Sequence, residues 1–360
     1  MYRINTIALS NYRNLETIKF EAGEHFNIIS GKNGAGKSNL LEALYFISSL
    51  RSFRKAKVDA IVSNQAHVAT IHATIAAEDL PETINISLGK ASALKVQRNH
   101  KRPRSQAQYR TFFPAVVFHP SDVDLATGNP EPRRNFLDRI LEQMDPSYGE
   151  ALASYRKALR NRNKLLQYEE LNKNSIRAYD EILANAGSII GRTRETLMTE
   201  LSEQTSNAFS SISGEGIELE LSYEPSVPPT PGQLFDALQS NLEKDRIIGY
   251  TRKGPHADDV LFRMQGKLAR NFASQGQQRA MVLALKVAEL LLLKKRLNKT
   301  PFLLLDDVSS ELDRERNRRL FDLVRDLDAQ TFLTTTHPEF IQLDLKRKDY
   351  AISNGTLSLL

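Results

Sequence analysis

The stretch HFNIISGKNGAGKS, residues 25–38, decides the fold. A short apolar run, residues 25–30, passes directly into GKNGAGKS, and Leu40, Leu41, Leu44, Phe46 and Ile47 follow at helical spacing over residues 39–50. Strand, glycine turn and helix in that order present backbone N–H groups to a phosphate. Side chains would fill such a cradle, and the helix N-terminus adds positive potential. The eight residues Gly31, Lys32, Asn33, Gly34, Ala35, Gly36, Lys37 and Ser38 fit G-x-x-x-x-G-K-[ST], with Asn39 next in the helix. At average residue frequencies this pattern arises by chance in roughly one chain of this length in a hundred. The expected ligand is ATP with Mg²⁺: Lys37 reaches the β and γ phosphates, and the Ser38 hydroxyl ligates the hard cation.

Around this unit the pattern is that of a mixed sheet. Residues 4–9 and 15–20 alternate like strands before the P-loop strand, residues 68–96 alternate after it, and an apolar strand is expected over 115–118. Beyond Pro130 the period changes to that of helices, over 133–144, 146–171 and 174–209. Between residues 129 and 212 twelve Lys plus Arg face twelve Asp plus Glu, so this block is neutral and a mechanical role is expected of it. A strand at 217–223, a Pro-rich linker at 225–231 and a helix at 232–243 then return to the α/β pattern. The expected organisation is an α/β head split in sequence, 1–128 and 213–360, with a mostly helical insertion at 129–212.

Two later strings complete the chemistry. PFLLLDDV, residues 301–308, reads as a buried strand ended by two carboxylates. In an open α/β sheet ligands sit beyond the carboxyl ends of strands, which suits Asp306 to hold Mg²⁺ through water and Asp307 to orient or deprotonate the attacking water. NFASQGQQR, residues 271–279, is a small polar turn opening a long apolar helix. Ser274, Gly276 and Gln277 there form a second anion site, which a single protomer already using its P-loop has no phosphate to fill. SSELD at 309–313 follows the acidic pair. His337 closes the strand expected at 330–336, placed to sense a γ phosphate.

Composition sets the limits. The 360 residues include no cysteine, which excludes disulfides and thiolate chemistry. No apolar stretch approaches the roughly 20 residues of a membrane span, and the opening MYRINTIALSNYRN has no cleavable apolar core, so a cytoplasmic location is expected. A net charge of +6 points to an anionic partner. The excess is concentrated in two acid-free clusters: Arg51, Arg54, Lys55 and Lys57, and Lys95, Arg98, Lys101, Arg102, Arg104 and Arg110. Both are expected to face phosphate backbones.

P-loop, SQGQQ, LLLDD, SSELD and TTTH in this order resemble the ABC-type ATPase heads of SMC-related DNA-maintenance proteins. LSNYRNLETIKFEAGEHFNIISGKNGAGKSNLLEALYF, GNPEPRRNFLDR and GYTRKGPHADD resemble the RecF family of bacterial recombination mediators over nearly the whole chain. The resemblance implies a head that forms a homodimer on ATP, with Ser274 of one protomer capping the other's nucleotide. It also implies double-stranded DNA and single-strand gap junctions as ligands, and loading of a recombinase with the partner mediators RecO and RecR. Slow, weak ATP hydrolysis acting as a switch and a nucleoid-associated location belong to the same expectation.

Three positions depart from the family pattern. Ala257 stands where a basic residue often follows GPH, Asp307 where most ABC ATPases carry Glu, and the strand end at 117–121 offers no Gln for a Q-loop. The shorter Asp307 predicts slow turnover. Alternatives share part of the pattern. The ATPase subunit of a membrane transporter has the same three motifs but lacks the 84-residue helical block and the GPHADD string. A P-loop nuclease needs a further acidic domain, which is not expected in the residues that follow His337 here.

Overall fold

The computed structural model describes residues 2–77, 80–213, 216–307, 318–319, 321–322, 324–325, 328–338, 341 and 346–360. The chain divides into two compact units, residues 1–122 with 286–360, and residues 123–285.

In the first unit, near-continuous apolar runs form a sheet buried on both faces, as parallel strands require. Five parallel strands, in the order Arg347–Ser353, Phe26–Ser30, Thr331–Thr335, Phe302–Asp306 and Ala115–Phe118, carry Thr356–Leu359 antiparallel on the outer edge. Alternating segments form a second, fully antiparallel sheet, in the order Leu15–Glu21, Tyr2–Tyr12, Val68–Ala77, Leu80–Gly89 and Ser92–Arg98. Its apolar positions, among them Ile7, Leu9, Ile71 and Ile84, share one core with Leu40, Leu44 and Phe46 of the helix Lys37–Ser49 and with Ile29, Phe302 and Phe332 of the parallel sheet. Each such side chain taken out of water contributes about 1.5–3 kcal/mol before conformational entropy is subtracted.

The second unit is built on the helices Pro130–Met144, Pro146–Leu166 and the 41-residue Lys173–Ser213. It is wider than the insertion expected over 129–212. The strand Leu219–Glu224 pairs with Asp259–Met264 and lies on the long helix, so residues 213–285 cluster with the helices. The Pro-rich segment is docked: a Cβ built on Gly191 would lie 2.4 Å from Pro229 Cβ, and Ser226 bonds both Asp258 and Gly254.

Two buried arginines fasten this unit. Arg162, fully buried, donates to Asp180 at 2.5 Å, Asp245 at 2.9 Å and Thr251 at 2.7 Å. Arg194 donates to Asp138 at 2.8 Å and Asp258 at 3.2 Å, and Asp258 also accepts from Tyr223 and Ser226. The GPHADD string therefore has an internal structural use, with Asp259 paired to Arg133 at 2.8 Å and His256 bonded to Tyr155 at 2.6 Å.

Among the described residues, no helix is long and apolar enough to cross a membrane.

Candidate nucleotide site

Strand register brings the candidate residues of the first unit to one edge. Ser30, which ends the P-loop strand, lies beside Thr335; Thr334 lies beside Asp306; and Leu305 lies beside Phe118. The loop at 31–36, the acids Asp306 and Asp307, His337 and His119 consequently leave the same carboxyl edge on four adjacent parallel strands.

The loop depends on its glycines. Gly34 and Gly36 adopt φ of 81° and 113°, which L side chains disfavour. A Cβ on Gly31 would meet Ile352 O at 2.4 Å, and one on Gly36 would meet Leu15 Cδ2 at 2.7 Å. Lys32 and Asn33 project outward as exposed residues and Ala35 is half-buried. Lys37 folds back over the loop, donating to Gly31 O at 2.7 Å and Lys32 O at 3.1 Å. Burial lowers its pKa, and the charges of Asp307 and Asp306 oppose that shift. The cradle, the lysine and the acids thus face one another. Ser38 and Asn39 occupy the first turn of the helix Lys37–Ser49, where Asn39 donates to Asn14 at 2.6 Å and accepts from Arg54 at 2.9 Å.

Asp306 is 2% exposed and accepts from Thr334 Oγ1 at 2.8 Å. Asp307 leaves the strand with φ of 51°, a left-handed conformation that Asp tolerates better than most residues, and its N–H bonds Thr334. His119 Nε2 stands 3.5 Å from Asp306 Oδ2. Burial lowers the pKa of His119, against the charges of Asp306 and Asp122. This histidine lies at the strand end 117–121, where a Q-loop is expected, and neither its contact with Asp306 nor that of Thr334 is visible in the sequence. Only the strand register brings them to the acid. His337 is exposed, its N–H held by Thr335 Oγ1 at 3.0 Å. Val308 and the SSELD string at 309–313 lie outside the described residues.

In the second unit Ser274 caps the helix Gln275–Leu297. Its Oγ accepts the Gln277 N–H at 3.2 Å, and Gln277 Oε1 accepts the Ser274 N–H at 2.9 Å. This is a reciprocal capping box, which satisfies two N-terminal donors and leaves the Ser274 O–H available to a ligand. Gly276 lies within the same first turn.

The basic clusters are partly structural. Arg98 pairs with Glu82 and lies 3.9 Å over the Phe112 ring, while Arg110 is buried and donates to Ser49 O at 2.9 Å. Lys95, Lys101, Arg102 and Arg104 remain exposed.

A mixed, largely parallel sheet with a glycine phosphate loop and strand-ending carboxylates on one edge defines an ABC-type P-loop ATPase head. The chain belongs to the RecF family of DNA replication and repair proteins, within the RecF/RecN/SMC N-terminal domain family, whose pattern matches residues 3–353. The DNA replication and repair protein RecF of Citrifermentans bemidjiense is 33% identical over 94% of both chains. A solved structure of the recombination mediator protein RecF–ATP in the RecFOR pathway is 30% identical with a TM-score of 0.90, covering 100% of this chain and 98% of that one. The Smc head domain from Pyrococcus furiosus, bound to the C-terminal domain of ScpA, shares the fold at 16% identity and a TM-score of 0.57, over 100% and 96% of the two chains.

Proposed function

We propose that this protein is an ATP-dependent DNA-binding switch of recombinational repair. ATP joins two heads, the joined heads hold double-stranded DNA and single-strand gap junctions, and hydrolysis releases them. The observation that carries the reading is the convergence of the glycine cradle, Lys37 and the Asp306–Asp307 pair on one sheet edge. The RecF–ATP complex of a relative supports ATP as the ligand, and the RecFOR pathway of that relative supports RecO and RecR as partners.

The residues present suit a magnesium nucleotide. Gly31, Gly34 and Gly36 keep the cradle free of side chains, Lys37 supplies an ammonium to the phosphates, and Ser38 and Asp306 supply hard oxygen ligands. Bound there, Mg²⁺ neutralises charge on the phosphoryl group. Asp307 orients the attacking water, and His337 senses the γ phosphate. Ser274, with Gly276 and Gln277 behind it, caps the nucleotide held by a second protomer. The helical block, part of the compact unit 123–285, has a mechanical role. Hydrolysis is slow because Asp307 is one methylene shorter than Glu.

Sedimentation with and without ATP and DNA tests this reading. ATP is expected to convert monomer to dimer and DNA to strengthen that dimer. Ser274→Arg is expected to bind ATP and remain monomeric; a Ser274→Arg protein that dimerises on ATP removes the shared-site reading. Lys37→Met is expected to lose ATP binding altogether.

A further inference from the structure

Asp306 meets a different group at each of its oxygens. Oδ1 accepts the Thr334 hydroxyl at 2.8 Å, and Oδ2 faces His119 Nε2 at 3.5 Å. The ring is held on its other sides. Its Nδ1 accepts the Ser121 backbone N–H at 3.2 Å and lies 2.8 Å from Ser121 Oγ, its backbone N–H donates to Asp122 Oδ2 at 2.9 Å, and Phe53 packs on it with centroids 5.0 Å apart. An Nδ1 that accepts a hydrogen bond carries no proton, so the proton of the neutral ring is on Nε2, the atom turned toward Asp306. Asp122 is further tied to Lys286 at 3.5 Å, a lysine 1% exposed.

We propose that His119 is a positioning residue for Asp306: its Nε2–H, 3.5 Å from Oδ2 and on the side opposite the Thr334 hydroxyl, orients the carboxylate electrostatically so that it is presented to the magnesium nucleotide. The tautomer that does this cannot at the same time offer Nε2 as a metal ligand, so His119 acts through Asp306. Partners of this kind, directly behind a metal-binding carboxylate, typically govern metal affinity by about 10–100-fold. The proposal rests on the reading of Asp306 as a magnesium-binding residue given above.

The test measures ATP affinity by titration with Mg²⁺ and with EDTA, and takes the ratio of the two for the full-length wild type, His119→Ala, His119→Gln and Asp306→Asn. Glutamine places an N–H donor near the position of the imidazole Nε2. The expected result is a ratio at least tenfold smaller for His119→Ala and restored to within about threefold of wild type by His119→Gln. Mn²⁺ in place of Mg²⁺ gives a second readout: the electron paramagnetic resonance linewidth of bound Mn²⁺ is expected to broaden for His119→Ala and to recover for His119→Gln. A wild-type ratio for His119→Ala overturns the proposal, as does a His119→Gln variant that melts like wild type yet is as defective as the alanine. If Asp306→Asn leaves the ratio unchanged, the magnesium reading of Asp306 itself has failed, and the role of His119 falls with it.

Discussion

Thr334 Oγ1 donates to Asp306 Oδ1 at 2.8 Å and accepts the N–H of Asp307 at 3.1 Å, so one hydroxyl holds both residues of the acidic pair. Thr334 is fully buried, and water cannot replace it. Thr334→Val keeps the shape and removes both bonds. The expected cost is about 1–3 kcal/mol, the penalty of leaving buried polar groups short of a partner. Urea unfolding of the nucleotide-free protein measures it, and an unchanged midpoint contradicts the assignment.

The loop glycines differ in what surrounds them. A Cβ on Gly36 collides with Leu15 and lies 3.1 Å from Asn14 Oδ1, whereas Gly34 has nothing within 4 Å. Both have positive φ, so both alanine variants carry backbone strain of about 1–3 kcal/mol. Gly36→Ala carries the collision in addition, and its unfolding midpoint should drop further than that of Gly34→Ala. Equal midpoints would mean that Leu15 gives way freely.

Arg162 lies between Asp180 and Asp245 with no solvent access to any of the three side chains. Arg162→Ala leaves Asp180 buried without its cation and Asp245 with Arg252 alone, at 3.4 Å, and breaking a buried pair in this way usually costs about 3–5 kcal/mol. Limited proteolysis should then cut the 123–285 unit first. Cleavage confined to the P-loop unit would show that the arginine is not what holds the helices together.

His256 is held neutral. Its Nε2–H donates to Thr251 O at 2.9 Å, its Nδ1 accepts from Tyr155, and burial lowers its pKa below the ordinary histidine value. Below a pH of about 6.5 the unfolded chain takes up a proton that the folded chain refuses. Stability contributed here is therefore complete above that pH and is lost as pH falls toward the folded value. His119, lowered for the same reason, has the same sign. Chemical unfolding between pH 7.5 and 5 should show a decline that is shallower in His256→Gln, and an identical slope would exclude this histidine.

Lys95, Lys101, Arg102 and Arg104 are the exposed members of the larger basic cluster. If they contact DNA phosphates, each adds about 0.9 to the slope of log affinity against log salt. Replacing Lys101, Arg102 and Arg104 with Gln should flatten that slope by up to about three, whereas Arg98→Gln should chiefly lower stability, because Arg98 is engaged with Glu82 and Phe112. An unaltered slope in the triple variant moves the DNA elsewhere.

The sequence by itself determined the phosphate loop between its strand and helix, the acidic strand end and the long helices, because each depends on neighbours within a few residues. The strand observed at Ala115–Phe118 coincides with its expected bounds, and the helix Lys37–Ser49 begins two residues earlier than its apolar spacing indicates. GKNGAGKS needs only its own glycines to shape a cradle, and LLLDD only its own alternation from buried strand to carboxylate. What the tertiary structure decided are relationships between distant residues. His119 meets Asp306 because two strands far apart in sequence pair in register. Arg98 and Arg110 turn from candidate phosphate contacts into structural groups because Glu82, Phe112 and Ser49 come to them. The residues from 213 to 285 join the helical unit because the paired strands Leu219–Glu224 and Asp259–Met264 pack on the helices Lys173–Ser213 and Pro130–Met144. Local motifs are legible in one dimension because their geometry is set by the backbone alone. The company that a buried arginine or histidine keeps is set by which strands pair, and no short window of sequence contains that.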